Sequence, residues 1–190
     1  MIKSELRKTY LEKRRTLTAA EMTAKSRQIA ERFFRECDLS SIRVLHSFIP
    51  IAKFNEIDTA AIYQNIWTRY PQVRTVAPHA NLENGDMTDR SFTSATTLSE
   101  NRWGIREPVG GEVVESGKID LVLVPLLCFD ERGCRVGYGK GFYDRFLAKC
   151  RPDCLKVGLS IFPPVDEIDD VDERDIRLDL CITPDETYKF

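Results

Sequence analysis

The chain has 190 residues, 42% hydrophobic and 31% charged, with a formal net charge of −2. That length suffices to bury a substantial core without staples, and the composition excludes overall disorder. A charge so near balance excludes a basic field that would draw in nucleic acid, so any bound anion must be held by a local cluster.

The elements follow in chain order. Ile2, Leu6, Tyr10 and Leu17 recur at helical spacing and predict a first helix. Thr18-Ala-Ala-Glu21 is a capping box that starts a second, whose apolar stripe runs Met22, Ile29, Phe33 and Cys37. Residues 43–49 predict a strand ended by Pro50, followed by a loop carrying Phe54, Asn55 and Glu56. A third helix presents Ile62, Ile66 and Tyr70 on one face, and residues 73–77 predict a short strand stopped by Pro78. From 79 to 117 periodicity is weak, with an Asn84-Gly85 turn and a Gly110-Gly111 surface loop as the only clear signals. Residues 119–127 form a continuous apolar run, the pattern of a strand buried on both faces of a parallel sheet. A helix over 142–150, a strand over 156–161 and a last strand over 180–183 complete the alternation. One domain over 1–190 with the architecture of a three-layer α/β/α sandwich follows, since strands and helices alternate with neither a repeat nor a linker.

The six cysteines are Cys37, Cys128, Cys134, Cys150, Cys154 and Cys181. The polar start Met1-Ile-Lys-Ser-Glu predicts no signal peptide, no C-x-x-C pair occurs, and no histidine neighbours Cys150 or Cys154. Reduced thiols in a cytoplasmic protein are therefore expected. The longest apolar run is too short to cross a bilayer.

The chemistry concentrates in DERGCRVGYGKGFYDR at 130–145. A buried strand leads into a loop with Gly133, Gly137, Gly139 and Gly141, which enters a helix. Ligands of open α/β sheets bind beyond the C-terminal ends of strands. Glycines let backbone N–H groups approach a ligand, and a helix N-terminus and the Lys140 cation in the same place suit a polyphosphate. The spacing is neither G-x-G-x-x-G nor a P-loop, and a bare glycine-rich surface turn is the competing reading. Lys140, the flanking aromatics and Asp144 favour function.

This string resembles the signature of the 5-formyltetrahydrofolate cyclo-ligase family, also called 5,10-methenyltetrahydrofolate synthetases. Lys3-Ser-Glu-Leu-Arg7, Asn55-Glu56-Ile-Asp-Thr59, and Asp175-Ile-Arg-Leu-Asp179 followed by Ile182-Thr183 match it in the expected order. The resemblance covers nearly the whole chain. It implies a Rossmann-like fold with a mostly parallel sheet, of the sugar-phosphate isomerase and CoA-transferase type. It also implies conversion of 5-formyltetrahydrofolate to 5,10-methenyltetrahydrofolate, with ATP as co-substrate and Mg²⁺ as cofactor.

The resemblance further implies residue roles. ATP falls to Lys3, Arg7, Arg135, Gly137, Tyr138, Gly139, Lys140, Gly141, Phe142 and Tyr143, with Lys140 and Tyr143 catalytic. The folate falls to Ile51, Glu56, Trp103, Tyr138 and Phe142. Magnesium falls to Asp144 and Asp175, with Asp170 and Asp172 as alternative acids in the same run. Read from the residues alone, Lys3 and Arg7 lie one turn apart on a helix whose Lys8, Lys13, Arg14 and Arg15 equally suggest a solvated basic face. Asp144 alone reads as a carboxylate balancing a helix dipole, Glu56 as a loop acid, and Phe142 as core. His46 and His79 have no catalytic partner that the sequence names. The partners expected are small molecules, with neither nucleic acid nor membrane, acting on a monomer or weak dimer. Two other readings compete: a sugar-phosphate isomerase or transferase on a similar sheet, and a nucleotide- or folate-binding regulator without turnover.

Overall fold

The computed structural model describes residues 1–81, 86–101 and 104–190. At its centre five parallel strands run side by side. They are β11 (Leu180–Ile182), β10 (Leu155–Leu159), β7 (Leu121–Pro125), β1 (Val44–His46) and β2 (Arg74–Asn81), in that spatial order. β7 lies in the middle, and its register pairs Leu121 with Leu45 on one side and with Leu155 on the other. That placement explains its unbroken apolar run. Leu121 and Leu123 face one layer while Val122 and Val124 face the other, and all four are fully buried.

One layer is formed by α2 (Ala19–Glu36) and α3 (Ala60–Arg69), which bring Ile29, Phe33, Ile62 and Ile66 against Leu45, Leu121 and Leu123. The opposite layer holds α4 (Phe142–Leu147), whose Phe146 and Leu147 pack on Val76, Val122 and Val124. The three-layer reading of the sequence therefore holds. α1 (Lys3–Arg15) lies apart from both layers. Its Leu6 and Tyr10 pack on Leu127, Cys128 and Val136, around the hairpin of β8 (Cys128–Phe129) and β9 (Arg135–Val136). The Thr18 capping box forms as the sequence predicts, with both Thr18 and Glu21 satisfying backbone N–H groups.

Both edges of the sheet turn antiparallel, and here the sequence expectations need correction. β3 (Asp86–Ser91), β6 (Val113–Val114) and the separate pair β4 (Leu98–Glu100) and β5 (Arg106–Pro108) build the weakly periodic middle. β12 (Thr187–Lys189) pairs with β11, so the strand at 180–183 is not the last. Nor does Pro78 stop β2. The Thr75 carbonyl points toward Phe92 and the Val76 carbonyl toward Ser47, so Pro78, two residues beyond Val76, directs its nitrogen to the side where β1 has already ended. No ladder bond is lost there. β1 ends at His46 rather than Ile49, and α4 ends at Leu147 rather than Cys150. Leu17 lies beyond the end of α1, yet still packs on the core of α2 and α3. The Asn84-Gly85 turn falls outside the described residues. Gly110 and Gly111 both take positive φ, as a surface loop requires. The six cysteines are free thiols.

Candidate active site

The glycine loop leaves β9 at the hairpin and enters α4 through Gly141, which caps the helix in the left-handed conformation with φ +66°. Gly139 also takes positive φ, and a Cβ there would lie 2.9 Å from the Arg7 guanidinium carbon. The positive φ favours glycine at Gly139, and a Cβ there would displace the Arg7 guanidinium. Nothing lies within 4 Å of a Cβ built on Gly137. α1 lies alongside this loop: Arg7 Nε donates to the Gly137 carbonyl at 2.9 Å. One turn earlier Lys3 Nζ pairs with Asp175 at 2.5 Å. Lys140 stands exposed, and its carbonyl accepts from Arg145 Nη2 at 3.1 Å. Phe142 is partly buried beneath the Arg145 guanidinium, 5.4 Å from its ring centroid.

Arg135 is buried. It donates to Asp144 Oδ1 at 2.7 Å and to the Ile176 carbonyl, tying β9 to α4 and to the segment after Asp175. Burial lowers its pKa, and the neighbouring Asp144 carboxylate opposes that shift. The Ile176 N–H also reaches Asp144 Oδ1, at 3.2 Å, so residues 175 and 176 are held beside the start of α4. The recorded hydrogen bonds of Asp144 use Oδ1, and those of Asp175, from Lys3 and the Asp172 N–H, use Oδ2. Among the described residues neither carboxylate's second oxygen has a hydrogen-bond partner. Asp170 instead accepts from the Lys3 backbone N–H, and Asp172 is engaged by Arg174, whose guanidinium and N–H hold its carboxyl down to about 2. Among the described residues no group of three or more His, Cys, Asp or Glu forms a resident metal cluster. Two half-free carboxylates beside the glycine loop are oxygen donors of the kind that suit a hard cation.

Opposite the loop, Glu56 closes a tight turn, with Oε2 accepting from the Ile51 N–H at 2.7 Å and Oε1 from the Tyr138 hydroxyl at 2.5 Å. Tyr138 also stacks on Phe54, ring centroids 4.9 Å apart. Its oxygen accepts from Arg14 Nη1 at 2.9 Å, while Arg14 Nη2 donates to the Leu126 carbonyl. Burial raises the Glu56 pKa, with Tyr138, the Ile51 N–H and Arg14 pulling it back. Burial and the Glu56 charge together raise the Tyr138 phenol. The structure thus brings Ile51, Glu56 and Tyr138 into one cluster, joined to Lys3, Arg7 and the glycines by the loop itself. Trp103 falls outside the described residues.

Two buried polar groups beside the site escaped sequence reasoning. Arg14, read as part of a solvated basic face, is 2% exposed. The signal was present, because Arg14 continues the Leu6 and Tyr10 stripe one turn further along α1. His46, for which the sequence named no partner, sits fully buried between Asp89 and the Tyr143 hydroxyl. No sequence signal announced Asp89, which lies in the weakly periodic middle. His79 instead faces Glu107, with Nδ1 3.1 Å from Oε2.

The chain is similar to known proteins. A probable 5-formyltetrahydrofolate cyclo-ligase of Schizosaccharomyces pombe is 35% identical over 117 residues, spanning 52% of this chain and 55% of that protein. The 5-formyltetrahydrofolate cyclo-ligase of Escherichia coli K12 is 27% identical over 187 residues, covering 94% of this chain and 98% of its own. The solved structure of 5,10-methenyltetrahydrofolate synthetase from Aquifex aeolicus superposes with a TM-score of 0.76 at 28% identity, covering 100% of this chain and 93% of the other. Residues 1–184 match the model of the same enzyme family, so the agreement extends from α1 through the glycine loop to β11. The chain belongs to the 5-formyltetrahydrofolate cyclo-ligase family.

Proposed function

We propose that the chain, acting as one domain over its whole length, converts 5-formyltetrahydrofolate to 5,10-methenyltetrahydrofolate, consuming ATP and releasing ADP and phosphate. The observation that carries this reading is the contact between Tyr138 in the glycine loop and Glu56 across from it. It sets a phosphate cradle and a carboxylate suited to a pterin side by side, where one substrate can react with the other. A pterin presents an exocyclic amine and a ring N–H together, and Glu56 keeps lone pairs beyond those used by Tyr138 and Ile51 to accept from them.

A formamide oxygen is a poor leaving group. In this scheme it attacks the γ-phosphorus and ADP departs. N10 then attacks the activated carbon and loses its proton, and the former formyl oxygen leaves within inorganic phosphate. Positioning and charge neutralisation carry most of such catalysis. Arg7 and Lys3 border the loop from α1, Lys140 projects from between Gly139 and Gly141 to meet the moving phosphoryl group, and Tyr143 supplies a hydroxyl. Phe142 and Tyr138 line the cradle. Asp144 and Asp175 would hold Mg²⁺, which when bound draws charge from the phosphate oxygens. Arg135 supports this pair by fixing Asp144 in place. The same reading makes the chain a cytoplasmic monomer or weak dimer acting on small molecules.

The test is absorbance of the methenyl product when purified protein meets 5-formyltetrahydrofolate, ATP and Mg²⁺, with phosphate release followed in parallel. Product formation that depends on both ATP and Mg²⁺ supports the proposal. ATP binding with no phosphate release under any folate would overturn it in favour of a regulator.

A further inference from the structure

His46 takes no part in the scheme above, yet its buried ring makes two polar contacts. Nδ1 lies 3.3 Å from Asp89 Oδ1, and Nε2 lies 3.2 Å from the Tyr143 hydroxyl. Phe146 packs on the ring at 4.9 Å between centroids. Asp89 is 1% exposed, and its Oδ2 is buried without a hydrogen-bond partner. The groups facing it are His46 from β1, Tyr143 from α4 and the Cys150 thiol after α4. Its neighbours across the sheet are Pro78 on β2 and Val114 on β6, which bring no charge. Among the described residues no Lys or Arg pairs with Asp89.

A neutral imidazole has one donor and one acceptor, so the cluster can be wired in two ways. With Asp89 ionised, Nδ1–H donates to the carboxylate and Nε2 accepts the Tyr143 proton, which is then tied to the cluster. With Asp89 as the neutral acid, its O–H donates to Nδ1, and Nε2–H donates to the Tyr143 oxygen. The Tyr143 proton is then free for another acceptor. The first wiring leaves a buried carboxylate with one bare oxygen and no cation, the arrangement that burial penalises most. The second carries no charge. Burial favours the uncharged form of both partners, raising the Asp89 carboxyl to about 7 and lowering the His46 imidazole to about 3.

The geometry assigns Asp89 and His46 the task of orienting Tyr143: the neutral acid fixes the Nε2–H tautomer of His46, which leaves the Tyr143 O–H as a donor to a phosphoryl oxygen in the site. Asp89 and His46 are positioning residues, and Tyr143 is the group that touches substrate. Tyr143 is the second residue of α4, directly after the glycine loop, and it feels the charges of Asp89, Glu56 and Arg135. A donor there meets the oxygen that gains charge as phosphate departs. The inference rests on the cyclo-ligase reading for the identity of the acceptor, while the wiring itself does not.

Nitrogen-15 NMR of the imidazole reads the tautomer directly. His79→Gln leaves His46 as the single histidine, because the chain has two. A protonated Nε2 and bare Nδ1 are expected below the pH at which Asp89 ionises, and a protonated Nδ1 at the pH of maximal turnover would overturn the proposal. Kinetics provide the second arm. Asp89→Leu removes the donor to Nδ1 and should lower kcat by roughly tenfold or more, with KM for both substrates little changed. Asp89→Asn restores a donor and should recover most of that loss, and it should also flatten the alkaline fall in kcat that follows Asp89 ionisation. Equal kcat for the two variants would sink the orienting role. If the unmodified protein shows no cyclo-ligase turnover, the functional reading fails, and the tautomer measurement still decides the wiring.

Discussion

Arg14 and Glu56 reach the Tyr138 hydroxyl from opposite sides, one donating to it and the other accepting from it. A buried guanidinium beside a carboxylate of raised pKa is costly to assemble, and removing one member exposes that cost. Arg14→Met keeps the bulk but deprives the Leu126 carbonyl and Tyr138 of their donor. We expect a loss of about 1–3 kcal/mol in denaturant unfolding, the usual cost of a buried group left unsatisfied. Folate affinity should fall more than ATP affinity, because Glu56 then loses the cation that favours its ionised form. Equal weakening of both ligands would mean that Arg14 only supports α1. Glu56→Gln tests the other side, since it sets an amide N–H₂ against the donors of a pterin. Folate affinity should drop by roughly tenfold or more, the effect of one unpaired buried donor, with ATP affinity nearly unchanged in calorimetry. These residues differ in how far the sequence disclosed them. Glu56 was legible through its motif. Arg14 was obscured by its charged neighbours, although its spacing from Leu6 and Tyr10 already placed it on the buried stripe.

At the scale of elements, α1 lies against the glycine loop. Arg7 occupies the space that a side chain at Gly139 would need, and Gly139 has a positive φ. Gly139→Ala therefore adds backbone strain of about 1–3 kcal/mol and pushes the guanidinium off the Gly137 carbonyl. We expect ATP to bind at least tenfold more weakly while folate affinity holds, measured by titration of each ligand alone. Unchanged ATP binding would show that Arg7 has no part in holding phosphate. The parallel centre of the sheet was readable because a strand buried on both faces must be apolar throughout, as residues 121–124 are. The antiparallel edges were not. β6 and β12 are two and three residues long, too short for a period-two pattern to register, and β2 continues through a proline whose effect depends on which neighbour has ended. Asp89 was hidden for the same reason, since its role exists only once β3 is laid beside β2.

On the scale of the whole molecule, the buried pair His46 and Asp89 makes opposite demands on pH. His46 has its imidazole lowered from 6.5 to about 3, so the stability it contributes is present above pH 6.5 and is lost as pH falls toward 3. Asp89 has its carboxyl raised from 3.8 to about 7, so its contribution is full below pH 3.8 and is lost as pH rises through 7. Between 3.8 and 6.5 the unfolded chain binds a proton at the histidine that the native state refuses, while the native state keeps one at the aspartate that the unfolded chain releases. The two slopes oppose each other and nearly cancel, each being on the order of 1 kcal/mol per pH unit. Breaking the pair should uncover them. In Asp89→Asn the histidine acts alone, so unfolding free energy relative to the parent should rise with pH by on the order of 1 kcal/mol per unit across this window. In His46→Gln the aspartate acts alone, and the difference from the parent should run the other way. Urea unfolding of the three proteins at several pH values from about 4 to 7 reads both slopes, since every other titrating group is common to them. Difference curves that stay flat for both variants would mean that the buried pair holds its ordinary protonation in the folded protein, and the neutral-acid wiring of Tyr143 would fall with it.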